Sequence, residues 1–276
     1  MTATLAHAEQ TRDWMVGPQP AGTYANIDVI FPGMQAQIEH RIPFYGVANE
    51  LNLKVNVLPT VVFTESQVDA DLRLVVLSLG GSAGVRQVFQ QISFDPGERF
   101  DAAARRSVQF GGSYGSQFSQ FAEARATLSL PMNDHLVFLS VNGLRFENGA
   151  DRSFDWRLGV VRDAGMVFRS DSTLFYKHRH LGGIGPQVQI LNYALDGQRN
   201  TQFNWGFTFT TRPGFRPRND IFFLSVLFGI GGTVNGVPTN EVYGNHLFKI
   251  PVTFQIAYRT VLEINRPSKP GQEEED

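Results

Sequence analysis

The sequence predicts an all-β protein, folded as an antiparallel, up-and-down barrel of about 12 strands, within a range of roughly 10 to 14. Segments about ten residues long alternate between apolar and polar side chains, which is the period of an extended strand with two different faces. Short turns rich in Gly, Pro, Asn and Asp separate these segments, and helical periodicity is almost absent. This rhythm favours one antiparallel meander over alternating strands and helices.

The clearest strand is Thr201–Thr211, TQFNWGFTFTT, in which aromatic side chains occupy every second position from Phe203 to Phe209. Ten other segments repeat the alternation. In chain order they are Met34–Ile42, Leu51–Val57, Val68–Val76, Ala122–Leu130, His135–Phe146, Phe154–Val161, Met166–Lys177, Gln187–Leu195, Ile221–Ile230 and Lys249–Ile264. The segment Gly22–Phe31, which a Pro32-Gly33 turn follows, is the best candidate for a twelfth strand.

The remaining segments divide the chain into three regions. Residues 1–21 are expected to form an N-terminal extension, residues 22–264 the barrel domain, and residues 265–276 a disordered tail, because that tail is rich in Pro, Gly and acidic residues. Within the barrel, residues 80–119 are predicted as one long loop, a length that is usually functional or forms a plug. With these twelve strands, both chain termini and the long loop are expected at the same end of the barrel.

Charged residues gather on the polar faces of seven strands, where seven acidic side chains meet eight basic ones. Most of the bases are arginines, whose planar guanidinium suits confined ion pairs. Because these acidic and basic side chains are nearly equal in number and face the same space, they predict an ion-paired lumen. The predicted lumen-lining residues are Glu39, Arg41, Lys54, Asp69, Asp71, Arg73, Glu123, Arg125, Asp155, Arg157, Arg169, Asp171, Lys177, Arg259 and Glu263.

The opposite faces are nearly free of charge at mid-strand. A charge facing lipid at mid-membrane would cost about 2–4 kcal/mol, and strands of about ten residues have the length of a tilted membrane-spanning strand. These features favour a transmembrane barrel whose apolar face contacts lipid. The predicted lipid-facing residues are Phe203, Trp205, Phe207, Phe209, Phe254, Ile256 and Tyr258.

Over roughly residues 24 to 264, this pattern resembles the bacterial outer-membrane β-barrels as a class. The resemblance implies an integral protein of the outer membrane of a Gram-negative bacterium, with membrane lipids and lipopolysaccharide as partners and small solutes as candidate substrates. One feature departs from the class: such barrels commonly end on an aromatic residue, whereas NRPSKPGQEEED follows Ile264 here.

The sequence contains only weak motifs for catalysis or for metal and phosphate binding. The pair His178 and His180 has the spacing of metal ligands on one strand face but no acidic or Cys ligand nearby, and His178 with Ser170 or Ser172 lacks the motif of a hydrolase. The segment 111–116, GGSYGS, lacks the Lys-Ser/Thr of a phosphate-binding loop. No catalytic residue, metal or cofactor is therefore expected. A net charge of −2 gives no electrostatic footprint for nucleic acid.

Three functional hypotheses follow. The first is an outer-membrane barrel that acts as a narrow, porin-like channel or as a scaffold, without catalytic activity. The second is a membrane-embedded lipid hydrolase or protease, and the third is a soluble β-barrel that binds a hydrophobic ligand. The sequence leaves the transported solute and the oligomeric state open.

Overall fold

The computed structural model describes the greater part of the chain. The described residues are 21–30, 33–44, 49–93, 113–155, 157–158, 160–178, 182–195, 197–211, 220–231, 233–234, 237–238 and 252–265. The predicted N-terminal extension and acidic tail lie almost wholly outside these ranges. No helix among the described residues is long and apolar enough to span a membrane.

The described elements are all β-strands. In chain order they are β1 (Gly22–Ile30), β2 (Gly33–Pro43), β3 (Asn49–Pro59), β4 (Phe63–Leu74), β5 (Leu77–Ser93), β6 (Ser113–Pro131), β7 (Leu136–Glu147), β8 (Ser153–Asp155), β9 (Val160–Arg162), β10 (Gly165–His178), β11 (Gly182–Leu195), β12 (Gln198–Thr211), β13 (Ile221–Gly231), β14 (Thr233–Val234), β15 (Val237–Pro238) and β16 (Val252–Asn265).

Twelve of these strands form one closed antiparallel barrel. Strands β1 to β7 pair in sequence order, β10 to β13 continue the wall from β7, and β16 joins β13 back to β1. Closure leaves the wall without an exposed strand edge, which is the usual protection of a barrel against aggregation. The predicted fold class and strand number are confirmed.

Two of the predicted elements are wrong, and their effects on the strand count cancel. The predicted loop 80–119 contains most of β5 and the first seven of the 19 residues of β6, so only residues 94–112 connect these strands. The predicted wall strand Phe154–Val161 is instead a small hairpin of two three-residue strands, β8 and β9. Phe154 pairs directly with Val161, so the predicted strand turns back on itself at its middle and does not run along the wall.

Glycines and alanines hid β5 from the sequence pattern, because they replace the large apolar side chains that mark a strand face. Two glycines are required by close contacts with β4. A Cβ atom on Gly80 would lie 1.8 Å from Oδ1 of Asp71, and a Cβ atom on Gly84 would lie 2.3 Å from the backbone oxygen of Ser66. In the sequence these glycines resemble those of a loop, but in the structure they lie where β5 packs closely against β4.

The corrected strand order also changes the ends of the barrel. Because successive wall strands reverse direction, the start of β1 and the end of β16 share one end, here named the terminal end. The connections of 19 and 17 residues, 94–112 and 148–164, both lie at the opposite end, here named the loop end. The long connection is thus opposite the termini, contrary to the expectation above, and this is the usual arrangement of outer-membrane barrels.

Alternation along the strands separates a polar interior from an apolar exterior. On β2, Gln35, Gln37, Glu39 and Arg41 are buried, while Ile38 between them is 57% exposed to the outside. Apolar residues also fill part of the interior, in a cluster that joins opposite sides of the wall. Its members are Leu58, Val62, Phe63, Val88, Phe223 and Ala257.

Candidate functional site: the charged interior of the barrel

The densest group of charges lies near the loop end and consists of four wall residues, here named the loop-end cluster: Glu65 on β4, Arg86 on β5, and Arg145 and Glu147 on β7. Glu65 accepts from Nε of Arg86 at 2.9 Å and from Nη2 of Arg145 at 3.1 Å. Glu147 accepts from Nη1 of Arg86 at 3.0 Å and from Nε of Arg145 at 3.1 Å. Each carboxylate contacts both guanidinium groups, so the four charges form a closed, neutral square.

Strand register and aromatic rings hold the arginines of this cluster in place. Arg86 lies directly opposite Glu65 in the β4–β5 pairing, and Arg145 and Glu147 share the inner face of β7 because they are two residues apart. The guanidinium carbon of Arg145 lies 3.4 Å from the ring centroid of Phe121, a cation–π contact. The arginines are therefore fixed on two sides, by carboxylates and by the wall.

The hairpin of β8 and β9 adds three more charges to this cluster from inside the barrel. Arg162 on β9 donates to Glu147 at 3.0 Å and, within the hairpin, to Asp155 at 2.7 Å. Arg157 lies 3.9 Å from Glu147, and Asp155 lies 3.9 Å from Arg86. Asp155 and Arg157 thus reach the interior as predicted lumen residues, but from a hairpin instead of a wall strand.

The protonation of the hairpin follows from these contacts. Burial alone would raise the pKa of the Asp155 carboxyl, but the guanidinium groups of Arg162, Arg157 and Arg86 hold that pKa well below its usual range. Burial, together with repulsion from Arg145 and Arg86, lowers the pKa of Arg157 to about 10. Both groups are charged at neutral pH.

A small polar pocket lies between the hairpin and the wall. Its volume is about 20 Å³, which is room for one water molecule. Arg86, Ser119, Glu147, Asp155 and Arg162 contribute polar atoms to its lining. Ser119 donates to Glu147 at 2.8 Å. In the described part of the chain, the interior beside the loop-end cluster is therefore closely filled.

A second group of charges continues the charged wall toward the terminal end. Asp71 accepts from Lys54 at 3.1 Å and from Arg125 at 2.8 Å, and Arg125 also lies 3.5 Å from Asp69. Glu123, 3.7 Å from Arg145, connects this group to the loop-end cluster. Acidic and basic side chains thus alternate along the inner faces of β3 to β7.

Further ion pairs occupy the terminal end and the seam of the barrel. Glu50 accepts from Arg73 at 2.9 Å and lies 3.4 Å from Arg41, which in turn contacts Glu39 at 2.7 Å. At the seam between β1 and β16, Arg259 donates to both carboxylate oxygens of Asp28, at 2.6 and 2.7 Å. This bidentate pair joins the first and last strands of the wall.

The wall formed by β11 to β13 carries mostly neutral polar side chains inside, together with buried apolar ones such as Leu191 and Leu227. Gln189 donates to Asp171 at 2.8 Å and accepts from Asn204 at 2.7 Å. Thr208 and Ser225 both donate to Gln187. The described interior therefore has a charged side and a side that is lined by amide, hydroxyl and apolar groups.

Most of the predicted lumen residues are buried in the interior. Two lie near the terminal end: Lys177 is half-buried and Glu263 is exposed. Among the described residues, nine buried charges were not predicted: Asp28, Glu50, Glu65, Arg86, Arg145, Glu147, Arg152, Arg162 and Asp220. Arg145 could have been predicted as an interior residue, because it lies between the apolar Leu144 and Phe146 in the predicted strand His135–Phe146.

The predicted lipid-facing residues lie on the outer surface wherever their side chains are described. Phe207 is 54% exposed, Phe203, Trp205 and Ile256 are exposed, and Phe209 is half-buried. Tyr258 is half-buried because its hydroxyl donates to Asp220 at 2.7 Å. The side chain of Phe254 lies outside the described part of the structure.

The candidate catalytic and metal residues are not brought together. Ser170, Ser172 and His178 all lie on the outer face of β10, and Ser172 is six residues from His178, about 20 Å along an extended strand. That distance is too long for a hydrogen bond between serine and histidine. His180 lies outside the described residues. The described residues contain no group of three or more His, Cys, Asp or Glu that could hold a metal ion.

No protein-family model matches the chain, and no curated protein matches it. Among solved structures, the chain is similar to the β-domain of the Bordetella autotransporter BrkA, with 8% identity, 86% of this chain and 96% of the other covered, and a TM-score of 0.44. It is also similar to the NanC porin, with 10% identity, coverages of 88% and 98%, and a TM-score of 0.32. The CymD monoaromatic hydrocarbon channel has 9% identity, coverages of 93% and 94%, and a TM-score of 0.38. We draw no functional argument from likenesses of this size.

Proposed function

We propose that this chain is a β-barrel of the bacterial outer membrane, which acts as a narrow channel or scaffold with an ion-paired interior. The observation that carries the proposal is the distribution of polarity: charges are buried inside the barrel, and large apolar side chains cover its outside. Membrane lipids and lipopolysaccharide are its proposed partners on the outer face, and small solutes are the candidates for passage.

The apolar surface extends around almost the whole circumference. Among the described side chains, large apolar ones exposed by a third or more occur on eleven of the twelve wall strands. Examples, one from each strand, are Val29, Ile38, Val55, Val68, Leu79, Phe118, Phe146, Tyr176, Ile184, Phe207 and Ile256. A soluble monomer rarely exposes a contiguous apolar patch of more than a few hundred Å². Lipid suits this apolar surface, and the many buried charges inside the barrel are unusual for the core of a soluble barrel.

The filled interior supports a narrow passage at most. Barrel diameter grows with strand number, and open aqueous channels are typical of about 16 or more strands. In this barrel, buried ion pairs and an inward-folded hairpin occupy the space near the loop end. The near balance of acidic and basic groups supports weak selectivity between cations and anions.

The test is whether the purified protein needs detergent. We expect it to aggregate when detergent is removed, and to migrate differently in a denaturing gel with and without boiling, as closed membrane barrels do. A protein that stays monodisperse in plain buffer would overturn the proposal and favour the soluble barrel with a hydrophobic ligand.

A further inference from the structure

We propose that the hairpin of β8 and β9 is an inhibitory plug, latched inside the barrel by the ion pairs that Glu147 and Arg86 of the wall make with it. This inference rests on the proposed function, because a plug matters only if the barrel conducts. It assigns the hairpin a regulatory role and names the two wall residues that retain it.

The hairpin crosses part of the loop end of the barrel. At one side, Ser153 pairs with Ser93 of β5. At the other side, the backbone N–H of Asp163 donates to the carbonyl of Ala194 on β11 at 2.8 Å. In the wall, β6, β7 and β10 separate those two strands. The hairpin therefore spans several strands, and its residues Val160 and Arg162 are buried.

Its attachment to the wall combines ion pairs with a few neutral hydrogen bonds. Its two strands have three residues each, and it shares a single residue pair with β5, whereas the wall strands β10 and β11 pair along most of their length. The charged contacts with the wall are Arg162 and Arg157 to Glu147, and Asp155 to Arg86. Removing those contacts removes the charged part of the attachment and leaves the hydrogen bonds that Asp163 makes with Ala194 and Gly197.

Both the latched and the released arrangement keep their charges paired. The loop-end cluster is a complete square without the hairpin, since Glu65 and Glu147 each contact Arg86 and Arg145. Within the hairpin, Arg162 keeps its 2.7 Å contact with Asp155. Release therefore leaves few uncompensated charges, which is what a two-state element requires.

The hairpin determines how much space remains beside the charged wall. With the hairpin in place, the pocket beneath it has a volume of about 20 Å³ and is lined on the wall side by Phe63, Val88 and Ser119. Moving the hairpin toward the loop end would expose these residues to water. A small hydrophilic solute or ion would then reach the charged wall from outside.

A cysteine probe tests the latch directly, because the chain contains no cysteine. Val88→Cys places a thiol beneath the hairpin, at a side chain that is 5% exposed. In detergent, we expect a charged thiol reagent to label this variant slowly. Adding Glu147→Gln should accelerate labelling about tenfold or more, because it removes the partner of Arg157 and Arg162 and so raises the open population.

Two further variants separate release of the hairpin from general loosening of the barrel. Arg162→Gln removes the 3.0 Å contact between the hairpin and Glu147 and leaves the four wall charges intact, so it should accelerate labelling as well. Glu50→Gln removes a buried carboxylate of another ion-pair group, at the terminal end, and should leave the labelling rate unchanged. Equal rates in the Val88→Cys parent and in both latch variants would overturn the inference, as would acceleration by Glu50→Gln.

A disulfide lock extends the test to conduction. Ser93 and Ser153 are directly paired across strands, within the range of Cα separations that a disulfide spans. In the Glu147→Gln background, the double variant Ser93→Cys/Ser153→Cys should conduct when reduced and close when oxidised. An equal conductance of the reduced and the oxidised protein would overturn the proposal that the hairpin is a plug. Failure of the proposed function is separate: it would show as solubility without detergent, whatever the labelling rates.

Discussion

At the scale of single residues, position along a strand decides whether a side chain faces the charged interior or the apolar exterior. On β12, Asn204, Thr208 and Thr210 are buried, whereas Trp205 and Phe207 between them are exposed to the outside. Thr208 donates to Gln187 across the β11–β12 pair. Neighbouring residues of one strand therefore experience different solvents, and one substitution has opposite consequences at adjacent positions.

The variant Phe207→Arg tests whether the outer face of β12 contacts lipid. A guanidinium facing lipid near mid-membrane costs about 2–4 kcal/mol, so we expect failure of membrane assembly or an unfolding free energy lower by that amount in lipid vesicles. Phe207→Leu keeps the apolar contact and should assemble normally. Gln198→Arg, at the exposed loop end of the same strand, should also be tolerated because the cost falls toward zero at the interface. Equal damage from both arginine variants would contradict the lipid-facing assignment.

At the scale of elements, the sequence pattern predicted the strands that alternate with large side chains and missed the one that does not. Strands β2, β4 and β12 were visible because apolar and polar residues alternate over the greater part of Met34–Ile42, Val68–Val76 and Thr201–Thr211. Strand β5 was hidden, since Gly80, Gly81, Ala83 and Gly84 replace the side chains that carry the period. Close approach between strands depends on partners distant in sequence, so no local pattern distinguishes such glycines from loop glycines.

The residues of the candidate site were predictable only where they lie in strands with a clear alternation. Residues that alternate within visible strands, such as Glu39, Asp71 and Arg259, were identified from the sequence. Glu65 and Arg86 were missed because they belong to parts of β4 and β5 that lacked a clear period. The closed square around Glu147 depends on strand register across β4, β5 and β7, which local periodicity does not determine.

Gly84→Ala tests the close packing of β5. The added Cβ atom would lie 2.3 Å from the backbone oxygen of Ser66 and 2.6 Å from the ring of Phe121, so the strands must separate. We expect a loss of about 1–3 kcal/mol in unfolding free energy, measured by urea titration in vesicles. Gly115→Ala on β6 is the matched control, because no atom lies within 4 Å of its added Cβ. A stable Gly84→Ala protein would show that β5 does not approach β4 this closely.

The hairpin also makes acid stability depend on Asp155. Since its pKa is depressed in the folded state, its charge stabilises the fold above the unfolded pKa of about 3.9, and this contribution is lost as the pH falls through the folded value. We expect the Asp155→Asn variant to be less stable than the parent at neutral pH, with a smaller further loss below about pH 4. Urea midpoints across that range measure the difference. Parallel pH profiles for the two proteins would exclude this role for Asp155.

At the scale of the whole molecule, the barrel combines a wall of membrane length with an interior that has little free space. The loop-end cluster, the Asp71 group and the hairpin together join β3 to β9 by ion pairs. Breaking one member of a buried pair costs about 3–5 kcal/mol, because it leaves the other charge uncompensated. Removing a single member of this network is therefore expected to destabilise that side of the wall, and the intact network occupies the interior near the loop end.

Conductance measures how completely this network closes the barrel. In planar bilayers, we expect small or absent conductance from the unmodified protein, and a reversal potential near zero in a salt gradient because acidic and basic groups are nearly balanced. Replacing residues 94–112, the connection between β5 and β6, with a short Gly-Ser linker should leave this conductance low, because the described ion pairs and hairpin remain. A clear increase would place the main barrier in that connection. A large, steady conductance from the unmodified protein would show that the interior is open despite its paired charges.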